Sequence, residues 1–171
     1  NNDGLLDIYV CRVGRYASLN NHNLLLICKN IGKDGVPVYE EQSAKYGLDF
    51  SGFSTQAAFF DYDLDGDLDM YLLNHSLRYN STFQPRANYD NTYDSLSGDR
   101  LYRNDGTRFT DITKPAGINS SVIGYGLGIC VSDINLDGYP DIYIANDFHE
   151  NDYLYINQGN GTFRDELDEH I

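Results

Sequence analysis

Three observations in the sequence predict an all-β chain of four-stranded antiparallel blades. A nine-residue acidic pattern with Gly at its sixth place recurs along the 171 residues. Each copy runs directly into an Asp-aliphatic-Tyr-aliphatic stretch, the composition of a strand rather than a helix. The residues between copies are short apolar runs separated by Gly- and Asn-bearing turns, with no convincing helical stretch.

The acidic pattern is clearest in Asp61-Tyr-Asp-Leu-Asp-Gly-Asp-Leu-Asp69. Alternate spacing lets Asp61, Asp63 and Asp65 curl round one point, and Gly66 permits the backbone turn there. Asp67 would add its main-chain carbonyl, and Asp69 would close the shell. Such an all-oxygen set suits Ca²⁺, which accepts many carboxylate oxygens in a flexible geometry. Mg²⁺ holds its waters and demands an octahedron, so it fits worse. The closing acid stands at the ninth place rather than the twelfth of an EF-hand loop, and a strand follows at once, so the loop joins two strands. Asp133-Ile-Asn-Leu-Asp-Gly-Tyr-Pro-Asp141 repeats the pattern, with Asn135 at the third place, Asp137 at the fifth and Tyr139 offering its carbonyl. Asn1-Asn-Asp-Gly-Leu-Leu-Asp7 matches from the third place onward, through Asn1, Asp3, the Leu5 carbonyl and Asp7, and lacks the first Asp.

Aligned on these loops, one unit is written three times. The strand after the loop is Asp7-Ile-Tyr-Val, Asp69-Met-Tyr-Leu or Asp141-Ile-Tyr-Ile. A second strand ends in Asn: Leu-Ile-Cys-Lys-Asn30, Leu-Tyr-Arg-Asn104, Leu-Tyr-Ile-Asn157. After a Gly-bearing turn comes a strand centred on an aromatic and an acid, at Tyr39-Glu-Glu41, Phe109-Thr-Asp111 and Phe163-Arg-Asp165. The first two units close with Tyr-Gly-Leu48 and Ala-Gly-Ile118, and a small-residue strand then leads into the next loop, Thr55-Gln-Ala-Ala-Phe-Phe60 and Gly126-Leu-Gly-Ile-Cys-Val131. Four short strands per unit, with the small residues on an innermost strand where space is tightest, is the sequence form of a β-propeller blade. A twisted meander that stacks linearly would give a similar pattern. The units are 1–60, 61–132 and 133–171 of one domain, the first and last incomplete.

Composition narrows the partners. A net charge of −14 makes nucleic acid and anionic membrane surfaces poor partners, and cation sites account for part of that charge. No stretch is long and apolar enough for a membrane-spanning helix. Cys11, Cys28 and Cys130 have no metal-type spacing. Cys11 and Cys28 end two strand-like runs of one unit, so they are expected either paired as a disulfide or free. Cys130, in an apolar run, reads as a small buried residue. Asn-x-Ser/Thr sequons stand at Asn74, Asn80, Asn119 and Asn160.

With the three loops in register, the units resemble FG-GAP/VCBS repeats, the calcium-loop blades of integrin α-chain propellers and many bacterial surface proteins. The wording in Leu72-Leu-Asn-His75, Gly98-Asp-Arg-Leu-Tyr-Arg-Asn104 and Phe109-Thr-Asp-Ile-Thr113 is similar to the branch that includes cartilage acidic protein. The resemblance implies metal ligation by Asp61, Asp63, Asp65, Asp67 and Asp69, by Asp133, Asn135, Asp137, Tyr139 and Asp141, and by Asn1, Asp3 and Asp7. It also implies a propeller of about seven blades, so these residues are expected to be an ordered piece of a longer propeller, or a subunit whose neighbours complete it.

One segment breaks the repeat. Asp61 and Leu101 stand 40 residues apart, whereas Asp133 and Leu154 stand 21 apart, and the extra residues fall within 77–98. That run of Arg, Tyr, Asn, Ser and Asp suits a protein or glycan ligand, or is a solvated insertion that caps the blade. His75 precedes it and reads as a hydrogen-bonded structural residue. Tyr9, Tyr71 and Tyr143 read as core packing. No Gly-x-Ser-x-Gly elbow, His-Glu-x-x-His helix or Cys/His ligand set is present, and a calcium-bound carboxylate is a poor general acid. The expected function is therefore a non-enzymatic, calcium-binding scaffold or adhesion module, secreted or on the cell surface, with a periplasmic setting as the variant. Two alternatives stay open. One is a polysaccharide lyase or hydrolase using Arg78, Tyr79, Arg86, Tyr89 and Tyr93 with His75. The other is a structural subunit of an extracellular assembly.

Overall fold

The computed structural model describes residues 3–16, 18–77, 88–89, 92–147 and 150–170. Strands β1 (Ile8–Val10), β4 (Leu24–Ile31) and β5 (Pro37–Glu41) form the first sheet, with a small hairpin, β2 (Arg15–Tyr16) and β3 (Leu19–Asn20), between β1 and β4. The second sheet runs in chain order through β6 (Ser54–Phe60), β7 (Asp69–Asn74), β8 (Arg100–Asn104) and β9 (Phe109–Asp111). The third does the same through β10 (Gly126–Ser132), β11 (Asp141–Asn146), β12 (Tyr153–Asn157) and β13 (Phe163–Asp165). All pairings within these sheets are antiparallel. The chain is thus all-β, in sheets of blade form.

The small-residue strand ahead of each of the two full loops pairs with the strand after it: Ala58 lies opposite Tyr71, and Cys130 opposite Tyr143. A sequence unit counted from loop to loop is therefore offset by one strand from a sheet.

Strand β7 shows why the fold holds. Every residue of its Asp-Met-Tyr-Leu-Leu-Asn run is buried, because side chains alternate between two packed faces. Met70 and Leu72 face the first sheet, joining Leu25, Ile27 and Leu48. Tyr71 and Leu73 face the third, joining Ile142, Ile144, Tyr153 and Phe163. Each such apolar side chain contributes about 1.5–3 kcal/mol by leaving water. The edge strand β5 is exposed along its whole length.

Two short helical turns depart from the helix-free expectation: α1 (Ser43–Tyr46) and α2 (Leu167–His170). The first arises because Gly47 adopts φ 74°, letting the Leu48 N–H return to the Ser43 carbonyl at 2.9 Å. Gly117 repeats the device at φ 80°, with the Ile118 N–H on the Thr113 carbonyl at 3.0 Å. A Tyr-Gly-Leu or Ala-Gly-Ile closure is thus a left-handed cap that ends one turn.

Cys130 is exposed rather than buried, since it lies on the first strand of its sheet and only its neighbours Ile129 and Val131 pack against the core. Cys11 and Cys28 are both free, and the Cys28 thiol turns to the Asn30 carbonyl at 3.7 Å.

Candidate metal centre

The two full acidic loops join β6 to β7 and β10 to β11, and they share one backbone shape. Gly66 and Gly138 both have φ 95°, a conformation that costs glycine little. Leu64 and Leu136, two residues earlier, are also left-handed at 61° and 62°. A side chain pays roughly 1–2 kcal/mol to sit there, so the rest of the loop must hold it. The first acid does so: Asp61 Oδ1 and Oδ2 accept the N–H groups of Asp65 (3.0 Å) and Gly66 (2.9 Å). Asp133 accepts those of Asp137 (3.0 Å) and Gly138 (2.9 Å). The fifth-place acid then takes the seventh-place N–H, Asp67 to Asp65 Oδ1 at 2.9 Å and Tyr139 to Asp137 Oδ1 at 2.8 Å.

In the first loop the described part follows suit. The Leu5 N–H donates to Asp3 Oδ1 at 2.9 Å, Gly4 has φ 82°, and Asp7 Oδ1 accepts the Cys28 N–H at 2.8 Å. Asn1 lies outside the described residues.

Carboxylate oxygens of Asp61, Asp63 and Asp65 lie within 4.8 Å of one another. Oδ1 of Asp63 is buried and meets no hydrogen-bond donor. Burial, and then the charges of Asp65 and Asp61, push the Asp63 carboxyl above its usual range. An orphaned buried oxygen among like charges fits a hard cation, which would supply the missing partner. In the other full loop Asn135 replaces the third-place acid, and its Nδ2 donates to Asp137 Oδ2 at 2.9 Å, so the crowding of charge is relieved internally.

The ninth-place acids do something the sequence did not reveal. Asp69, wholly buried, accepts the N–H of Tyr62 on Oδ2 (3.1 Å) and of Asn104 on Oδ1 (2.8 Å). Asp141 likewise accepts Ile134 (2.8 Å) and Asn157 (2.8 Å). These carboxylates tie each loop to the end of the third strand of its sheet. Their remaining lone pairs can still face a cation. Burial pushes the Asp69 carboxyl up to about 7, against the pull of the two N–H donors.

A second latch repeats three times. Tyr71 and Tyr143 donate their hydroxyls to Asp99 (2.8 Å) and Asp152 (2.5 Å), whose other oxygens accept the N–H of Asn74 and Asn146, each at 2.8 Å. In the first sheet Asn23 takes the acid's place: Nδ2 donates to the Tyr9 hydroxyl (3.0 Å) and Oδ1 accepts the Arg12 N–H (2.7 Å). The recurring tyrosines are therefore hydrogen-bonded anchors; Tyr71 is also fully buried in the core and Tyr9 packs against it, whereas Tyr143 is half-buried and outside both core clusters. The available signal was an Asp or Asn two places before the paired Leu of the next strand.

An FG-GAP-like repeat is found at residues 133–169. The FG-GAP-like repeat takes in the whole loop 133–141, β11, β12 and β13. No curated protein matches the chain. Loop 61–69 with β7, β8 and β9 has the same layout and register as the matched FG-GAP-like repeat.

Around the insertion, Arg100 is 1% exposed and holds the described end of the 77–98 segment. Its guanidinium donates to the carbonyls of Gly98 (2.7 Å), Asp99 (2.8 Å) and Asp94 (2.5 Å) and to the Ser120 hydroxyl, and lies over the rings of Tyr93 and Phe50. His75 donates its N–H to the Phe53 carbonyl (2.9 Å) and sets its ring edge-on to Tyr125. Arg78, Tyr79, Asn80 and Arg86 lie outside the described residues. Asn74 is fully buried, so its sequon is closed to a glycan in the folded chain.

Proposed function

We propose that this chain is a calcium-stabilised, non-enzymatic binding or adhesion module that works outside the cell. The observation that carries the reading is the convergence of Asp61, Asp63 and Asp65, with an Asp63 oxygen buried among like charges and unmet by any donor. The FG-GAP-like repeat is compatible with an adhesion-type module. Asp61, Asp63, Asp65 and Asp69 would hold the cation, with the Asp67 carbonyl. Asp133, Asn135, Asp137 and Asp141, with the Tyr139 carbonyl, would hold a second one more weakly, having fewer charges. Bound there, the cation supplies the positive charge that clustered carboxylates lack. Sites of this sort fill at roughly 10⁻⁴–10⁻³ M Ca²⁺, a level met outside cells. No helix among the described residues is long and apolar enough to cross a membrane. The ligand, protein or glycan, would meet the 77–98 segment, where Tyr93 is half exposed above Arg100. The likeness of 72–75 and 98–104 to the cartilage acidic protein branch belongs to the same proposal.

Thermal unfolding tests the metal. Melting temperature should fall markedly in chelator and be restored by Ca²⁺ better than by Mg²⁺. Equal melting with and without chelator refutes the reading.

A further inference from the structure

The two full loops differ in what lies against them. Tyr62, at the second place of loop 61–69, is 3% exposed, whereas Ile134 at the same place of loop 133–141 is 46% exposed. The third sheet makes that difference. The Phe163 ring packs against the Tyr62 ring with centroids 6.0 Å apart, and the Asn157 side-chain amide donates to the Tyr62 carbonyl at 2.8 Å. The same Asn157 nitrogen donates to the Pro140 carbonyl of its own loop at 3.2 Å. One amide group with two hydrogens thus braces both acidic loops. Asn104, the corresponding residue of the second sheet, reaches the Leu68 carbonyl of its own loop at 3.2 Å. Phe163 is itself held by its N–H on the Ala116 carbonyl at 2.8 Å.

We infer that Asn157 and Phe163 are positioning residues for cation binding in loop 61–69, so that filling this loop and seating the third sheet on the second are linked equilibria. The inference rests on the cation reading above. Tyr62 lies between Asp61 and Asp63, and its N–H is held by Asp69. Its ring and its carbonyl are both clamped from the third sheet. Movement of that sheet therefore displaces the peptide that joins two ligating carboxylates. The coupling is reciprocal, as for any two linked binding events. Loop 133–141 shares the Asn157 amide through Pro140, but its Ile134 meets no ring like that of Phe163 among the described residues, so its affinity should not depend on Phe163.

Site-resolved Ca²⁺ titration tests this. In an Asp133→Ala background, which silences loop 133–141, Phe163→Ala should weaken Ca²⁺ binding about fivefold or more. In an Asp61→Ala background, which leaves loop 133–141 to be read, the same substitution should leave affinity unchanged. Without touching Phe163, Ca²⁺ added to the Asp133→Ala protein should slow amide exchange at Phe163 and its β13 neighbours. Unchanged affinity at loop 61–69, or an equal fall at both loops, overturns the linkage while leaving cation binding intact. Absence of Ca²⁺ binding in the parent protein overturns the linkage and the proposed function together.

Discussion

Replacing Asp63 by Asn gives loop 61–69 the third-place residue that loop 133–141 carries naturally. Two repulsions end, with Asp61 and with Asp65, whose oxygens lie within 4.8 Å. Unit charges at that separation repel by about 1 kcal/mol in a water-like medium and about 3 kcal/mol nearer the protein interior. The loop is half exposed, so the lower figure applies, about 2 kcal/mol for the two pairs. The new amide can also donate to Asp65, as Asn135 donates to Asp137 Oδ2. For a chain of this size each kcal/mol moves the midpoint by about 2–4 °C. In chelator, Asp63→Asn should therefore melt about 4–8 °C above the parent. In Ca²⁺ the loss of one charged ligand acts the other way: at about 1 mM Ca²⁺, a site weakened from about 10⁻⁴ to about 10⁻³ M forfeits about 1 kcal/mol of ligand stabilisation. Scanning calorimetry of both proteins in chelator and in millimolar Ca²⁺ should show the gap between conditions narrowing, with the chelator midpoint rising by more than the Ca²⁺ midpoint. A variant that melts below the parent in chelator, or keeps the full gap, refutes the charge-crowding argument.

Other substitutions probe the remaining features. Burial holds the Asp99 carboxyl up at about 7, so the folded state favours its proton. The stability it lends is complete below the ordinary carboxylate range and is lost as pH climbs toward 7. Asp99→Asn copies Asn23 of the first sheet and should gain on the parent more at pH 8 than at pH 5, read from denaturant midpoints; a pH-independent difference refutes this. Arg100→Lys keeps the charge but cannot span four acceptors and two rings, so it should cost about 3 kcal/mol in urea unfolding. A Cβ on Gly126 would lie 2.3 Å from Leu73 Cδ1 and 2.8 Å from the Asn74 carbonyl, whereas one on Gly128 meets nothing within 4 Å. Gly126→Ala should cost about 1–3 kcal/mol and Gly128→Ala should be neutral or gain slightly, a contrast that melting temperatures will show.

Strand order and loop shape were legible because each is written in short-range sequence. Asp-Gly spacing sets the turns of 61–69 and 133–141, and the unbroken apolar run Met70-Tyr71-Leu72-Leu73 sets a strand buried on both faces. What stayed hidden depends on partners distant along the chain. Nothing near Asn157 announces that its amide reaches Tyr62, 95 residues away. The ninth-place Asp69 looked like a ligand alone because its two N–H donors come from separate elements. Cys130 read as buried because its neighbours are apolar, yet position along the first strand of a sheet decided its exposure.

The backbone amides that grip Asp61 and Asp133 have a thermodynamic consequence. Fixing a residue's backbone costs about 1–2 kcal/mol of conformational entropy. In loops 61–69 and 133–141 those dihedrals are set by bonds within the loop itself. The ordering is therefore charged to chain folding and not to ion capture. An ion bound as proposed would chiefly exchange its own hydration shell for oxygens that already stand in place. A site of this kind would fill with little rearrangement of its own backbone, so the structural response to the proposed ion would fall on the packing of the third sheet against Tyr62.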